Sequence, residues 1–258
     1  MLFRLLILFG TLSFSACSEY RHLPADKFLY LDVDNSKEIE QYGYRDSRGK
    51  IVIPFGKYPM VFTDTIKEIA FVAIRHEGSF SVKGLYAINK KEEILFQVYP
   101  FDNGPDYLSE GLFRILDEEG RIGFANMDGE VVISPRYAYI DAFKGGLASF
   151  CDGCKKKTYI SNKDNPIRLE GDQYQFEGEE IIIDSRRKYG FINQKGDTVL
   201  KPIYGRAGRF TDGIALVFKD KRAYYIDRDG NEVVPDSVRH PSVNPSWIRA
   251  YDRVKYKN

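Results

Sequence analysis

Along almost the whole chain, short apolar runs alternate with turns that carry Gly, Asp or Asn. No stretch after residue 16 keeps a helical apolar period over three turns, so the pattern predicts strands. Residues 188–217, KYGFINQKGDTVLKPIYGRAGRFTDGIALV, show the grammar most plainly. Two short apolar strands flank a turn at Gly196, and a Pro202-Ile203-Tyr204 exit leads into a loop. A third strand opens at Phe210-Thr211-Asp212-Gly213-Ile214-Ala215. Gly at 49, 129, 196 and 230 stands where a tight hairpin needs positive φ. Pro at 54, 135, 202 and 235 cannot donate to a ladder, so it ends the second strand or marks an edge. Gly43, Gly123 and Gly190 lie inside strands, where a missing side chain lets another backbone or ring come close.

Weaker copies of this grammar fill the rest. Lys27–Val33 reads as a strand with no hairpin before it. A first unit runs from Tyr42-Gly43-Tyr44 through Ile51-Val52-Ile53-Pro54 to Ile69, with an insertion at 65–68. A second spans Leu85 to Leu112, with Glu92 at the turn-Gly position, and a third runs from Ile122 to Ala148. Phe143, Phe176 and Phe210 fall 33 and 34 residues apart, which predicts a shortened fourth unit opening at Thr158-Tyr159-Ile160. The fifth is the reference stretch, and a sixth opens at Ala223 and turns at Asp229-Gly230. The expected fold is all-β: about six tandem three-stranded antiparallel repeat units of about 35 residues in an open β-solenoid-like array. The alternative is a closed, propeller-like ring pairing Lys27–Val33 with residues 223–234, which would remove exposed edges.

Residues 42–235 carry aromatic-Gly-aromatic, Gly-x-x-Val-Ile/Leu-x-Pro-x-Tyr and Phe-x-x-Gly-Leu/Ile-Ala, most clearly at 121–150 and 188–235. This pattern resembles the bacterial WG (KWG) β-repeat family. The eponymous Trp is absent, its place held by Tyr42, Leu85, Ile122, Tyr189 and Ala223. The resemblance implies an architecture and little about activity.

The N-terminus adds an address. Residues 1–16 hold one positive charge, Arg4, and an apolar run too short to span a bilayer, which reads as a secretory signal peptide. Phe14-Ser15-Ala16-Cys17 resembles a bacterial lipoprotein signal, implying cleavage before Cys17 and diacylation of its thiol; the other reading is a plain signal cut near Ala16. The division is then a signal peptide at 1–16, a lipid-anchored tether at 17–27 and one β-repeat domain at 28–258. The expected location is the bacterial cell envelope, on a membrane side the sequence leaves open.

Charge and motifs narrow the chemistry. Lys plus Arg number 38 against 37 Asp plus Glu, a net charge of +1, which disfavours nucleic acid as a partner. Cys151-Asp152-Gly153-Cys154 is the sharpest local motif. In an exported protein a disulfide is the simplest reading, with free thiols next; a metal site would need two further ligands, and only His22, His76 and His240 exist. Lys155-Lys156-Lys157 is expected on a solvated turn face, and Gly205 to Arg209 in a loop between strands. Asp46, Asp128, Asp197 and Asp229 sit in turns, where Asp caps its own backbone, and Glu110 and Asp212 precede third strands. No catalytic residue and no cofactor is singled out.

The expectation is a non-catalytic binding or interaction scaffold, held to a membrane through Cys17, with a protein or polysaccharide partner. The alternatives are a glycan-binding surface lipoprotein, marked by exposed aromatics beside Asp or Asn, and an enzyme with a site between repeats. The partner is expected at departures from the repeat: 65–68, 99–107, Cys151–Cys154 and the tail.

Overall fold

The computed structural model describes residues 27–160, 167–168, 174–175 and 177–234, with side chains described for 27–154 and 187–234. All regular structure among them is β. Five three-stranded antiparallel meanders follow one another. The first is β1 (Leu29–Asp34), β2 (Gln41–Arg45) and β3 (Ile51–Ile53). The second is β4 (Ile69–Arg75), β5 (Val82–Asn89) and β6 (Ile94–Val98). The third is β7 (Phe113–Leu116), β8 (Ile122–Ala125) and β9 (Val131–Tyr137). The fourth is β10 (Leu147–Ile160), β11 (Glu177–Asn193) and β12 (Thr198–Tyr204). The fifth is β13 (Ala215–Lys219), β14 (Arg222–Ile226) and β15 (Glu232–Val233).

Each meander joins the third strand of one sequence repeat to the first two strands of the next. The structural unit is therefore displaced by one strand from the sequence grammar. The opening strand at Lys27–Val33 has a partner: it is β1, with Leu31 opposite Tyr44 of β2. It does not lie beside 223–234, where β14 pairs with β13 and β15, so the array is open among the described residues. The shortened fourth unit is not formed. Residues 155–160 and 177–183 extend the β10–β11 hairpin, with Thr158 opposite Glu179 and Ile160 opposite Glu177. Lys155-Lys156-Lys157 accordingly lies on a strand rather than a turn. A Phe spacing cannot distinguish a new unit from a lengthened hairpin, and Phe176 itself falls outside the described residues.

Stacking explains the packing. Three short strands cannot bury a face alone, so each core sits between two successive meanders, and between the second and third β6 also pairs with β7, Val98 opposite Ile115, in one six-stranded sheet. Tyr44 and Ile53 pack with Val72 and Ile88. Phe71 and Ala87 pack with Phe113 and Ala125. Phe124 and Ile133 pack with Phe150 and Ile192, and Phe191 and Leu200 with Val217 and Ile226. Neighbouring residues of one strand thus serve different cores: Phe124 faces forward and Ala125 backward. That is why β8 is buried at all four positions and reads as a continuous apolar run. Tyr44, Phe124 and Phe191 share one position in the repeat and are fully buried, each contributing roughly 1.5–3 kcal/mol. Tyr225, at the same position in the last meander, is only half-buried.

Two turn chemistries alternate. Between the second and third strands of a meander the loop has three residues, and Asp46, Asn89, Asn126, Asn193 or Asp227 opens it. The Asn126 Oδ1 accepts from the N–H groups of Asp128 and Glu130, and the Asp227 Oδ1 from those of Asp229 and Asn231. The caps are therefore Asn126, Asn193 and Asp227, two residues before Gly-adjacent Asp128 and Asp229 and four before Asp197; Asp46 alone caps as expected. Gly129 at φ 85° closes the three-residue loop rather than a two-residue one. Two-residue turns with positive φ at both positions occur instead at Glu110-Gly111, Gly145-Gly146 and Asp212-Gly213, ahead of the strands that open meanders three to five.

The interior glycines answer to close backbones. A Cβ on Gly190 would stand 2.6 Å from the Leu200 carbonyl oxygen and 2.9 Å from the Pro202 nitrogen, because β12 bulges toward β11 there. Gly190→Ala is expected to destabilise the domain by about 1–3 kcal/mol in urea denaturation. Gly49→Asn, at a turn with φ 80° but open space around it, should cost only the left-handed backbone penalty, about 1 kcal/mol.

Candidate functional site

The clearest departure from the repeat lies between β6 and β7. Pro100–Phe101 and Gly104–Pro105 form a small hairpin turned by Asp102 and Asn103, both at positive φ (47° and 66°) without a glycine. Its aromatic groups face outward: Phe101 is 41% exposed, Tyr107 60% and the adjacent Leu108 54%. The two rings meet edge to face at 5.5 Å, and the Tyr107 hydroxyl donates to Asp102 Oδ2 at 3.0 Å.

A buried ion pair holds this hairpin down. Opposite the repeat's buried aromatic position the third strand carries Leu31, Phe71, Ser149 or Leu216, but Arg114 in β7. The Arg114 guanidinium donates to both carboxylate oxygens of Asp106, at 2.9 and 2.7 Å, and to the Ile140 carbonyl at 3.4 Å. Asp106 Oδ2 also accepts from the Arg114 backbone N–H. Both side chains are almost wholly buried. Burial works against the Arg114 charge, but the bonds to Asp106 outweigh it and raise the guanidinium above its ordinary value. The same cation lies 4.2 Å from the Tyr99 ring centroid and 5.6 Å from that of Phe101. Phe101 is thus fixed from below while one side stays exposed. Backbone bonds from Tyr99 to Arg114 and from Asp106 to Tyr99 pin both ends of the segment.

A second feature surrounds Cys151 and Cys154, which are joined by a disulfide across the bulge in β10 where Gly153 takes φ 86°. Beside it runs a groove of about 620 Å³ lined by Arg121, Arg136, Tyr137 and Phe150. Its cations are already engaged. Arg121 pairs with Asp117 and Glu119, and Arg136 donates to the Tyr137 hydroxyl and the Gly196 carbonyl.

Other sequence candidates serve the scaffold. Thr65–Ile66, in the insertion at 65–68, pairs with Leu29–Tyr30 of β1. The segment Gly205 to Arg209 is not an open loop: Arg206–Ala207 pairs with β13, and the amides of Gly205 and Gly208 donate to Phe218 and Leu216 carbonyls. Glu110 does more than turn the chain. Its carboxylate accepts the N–H groups of Gly145 and Gly146 at 2.6 and 2.8 Å, clasping the next two-residue turn of the array, while Ser109 Oγ donates to the Phe143 carbonyl. No local sequence signal marks that contact, because its halves lie 35 residues apart. Among the described residues no three His, Cys, Asp or Glu side chains gather as a metal site, and His76 is exposed. Cys17, His22, His240 and the tail lie outside the described residues.

Two measurements follow from these geometries. Asp106→Ala leaves a buried, uncompensated guanidinium and should cost about 3–5 kcal/mol in urea denaturation, whereas Asp106→Leu/Arg114→Leu should cost less than that single change. Burial, with Asp141 adding to it, pushes the Tyr139 phenol up to about 12, and burial with Glu92 does the same for Tyr58. The neutral phenols are favoured in the fold, so their contribution is complete below about pH 10 and is lost as pH rises from there to about 12. Tyr58→Phe/Tyr139→Phe should therefore show a shallower alkaline loss of stability than the wild type over that window.

Comparison with known families agrees with this geometry at two places, and comparison with curated proteins finds no match. Residues 122–153, covering β8, β9 and the start of β10, and residues 189–222, covering the end of β11 through β13, match the WG containing repeat, so this β-rich chain carries WG-type repeats.

Proposed function

We propose that the protein is a non-catalytic binding scaffold of the bacterial cell envelope, tethered to a membrane by acyl chains on Cys17. The observation that carries the binding role is a division of labour among residues. Side chains shared by the repeats are consumed in cores, caps and clasps, while the 99–108 departure spends a buried ion pair on holding aromatic groups outward. A local rule broken at an energetic cost, with an exposed apolar tip as its visible result, marks a functional surface. The repeat match supports the scaffold and assigns no chemistry. The tether rests on Phe14-Ser15-Ala16-Cys17 after an apolar leader.

The test is crosslinking and pull-down from intact envelope, with Cys17→Ser alongside. The expected result is a partner protein or polymer captured by the wild type, and a labelled fatty acid that attaches to the wild type only. A label that persists on Cys17→Ser removes the tether, and a wild type that captures nothing removes the scaffold.

A further inference from the structure

The exposed tip at 99–108 has a ligand chemistry of its own, and we propose that it is a glycan-binding site whose ligand is a neutral pyranose chain stacking on Phe101 and Tyr107. The inference deepens the scaffold reading and rests on it. Three properties of the tip select this class.

The first is size. Phe101, Tyr107 and Leu108 are each only partly exposed, and a fully buried aromatic side chain contributes about 150–250 Å². The patch thus offers a few hundred Å² at most, far below the roughly 800 Å² per partner of a stable protein interface. A patch of that size matches one or two sugar rings.

The second is shape and chemistry. The rings meet edge to face at 76°, so the pair offers a flat aromatic face braced by the other ring rather than a continuous apolar groove. Ring faces carry partial negative charge and attract the weakly positive C–H groups that line one side of a pyranose. Sugar hydroxyls need donors and acceptors close to those faces. Asp102 and Asn103 supply them at the turn, and the Tyr107 hydroxyl already holds Asp102 in place.

The third is charge. The cation under the tip, Arg114, is buried and spent on Asp106, so it is not free to recruit an anionic polymer. The Asp102 carboxylate repels one. A cationic ligand gains little here, because the Phe101 ring already lies against the Arg114 guanidinium and Asp102 already accepts the Tyr107 hydroxyl. What remains is a neutral ligand with apolar faces and hydroxyl edges. The rings are held before binding, Phe101 by the Arg114 guanidinium beneath it and Tyr107 by Phe101 and Asp102, which lowers the ordering cost that a weak, flat contact could not offset.

The experiment is affinity electrophoresis of the full chain through gels holding soluble neutral polysaccharides (β-glucan, mannan, galactan) or an anionic one (alginate), followed by titration with the matching oligosaccharides. The variants are Phe101→Ala, Tyr107→Ala and the double, with Phe80→Ala, an exposed aromatic on another hairpin, as control. The expected result is retardation by at least one neutral polysaccharide, a roughly five- to tenfold weakening for each ring removed, and no change for Phe80→Ala. Tyr107 is mostly solvent-facing, so Tyr107→Ala should unfold thermally as the wild type does, whereas Phe101→Ala gives up the Arg114 contact and should unfold a little earlier while remaining folded at the assay temperature. Absence of retardation by every neutral polysaccharide overturns the proposal, as does equal retardation of wild type and double variant, or preference for alginate. If envelope crosslinking still captures a protein that the double variant loses, the tip is a protein contact: the glycan reading falls and the scaffold reading stands. If neither glycan nor crosslinked partner is found, both fall.

Discussion

Every meander in this chain is too small to close a core of its own, and that constraint orders the rest of the structure. Meanders of three short strands must lend both faces to neighbours, so Phe124 belongs to one core and Ala125 to the one before it. A strand buried on both faces loses the alternation that would otherwise identify it, and gains a run of consecutive apolar residues. The glycines follow from the same demand, since the second strand of the grammar bulges close over Gly123 and Gly190 and leaves no room for a Cβ. The hydrogen bonds of Glu110 to Gly145 and Gly146 repeat the logic in polar form, tying one turn to the next across the stack.

Much of this was legible in the residues. Gly, Pro and the recurrent aromatics announced strands, turns and a repeat, and the WG-like pattern marked the two best copies. The phase of the repeat was not legible. A periodic sequence reads the same wherever counting starts, whereas hydrogen bonding starts at the strand that opens each meander. Lys27–Val33 therefore looked unpartnered, although β1 has Tyr44 and its neighbours across from it. The β10–β11 extension misled for a related reason, because strand-like residues inside a long hairpin resemble those of a separate unit. Turn caps were read one step off: Asp-Gly drew attention, while the acceptors are Asn126 and Asp227.

The exposed aromatic tip was visible only as a departure. The 99–107 stretch failed to fit the repeat, and nothing in its letters disclosed that Arg114, later in the chain, would reach back to Asp106 and lie beneath Tyr99 and Phe101. Such contacts depend on the pairing of the connecting segment with its own third strand, which emerges only when the meander forms. The groove beside Cys151 and Cys154 illustrates the opposite case. Its location invited attention, but its arginines are occupied by neighbours from the same scaffold.

The pinning of that segment at Tyr99 and Asp106 has an evolutionary side. Residues between two fixed points can be lengthened, shortened or rewritten without disturbing the cores, and closing a slightly longer loop adds only a small entropic cost, about 0.6 kcal/mol per doubling of length. The repeat thus separates two kinds of position: a frame whose side chains are committed to cores and caps, and short connections between fixed points. Such a connection can be rewritten while the neighbouring meanders carry on unchanged, so sharing this frame does not by itself mean sharing a ligand.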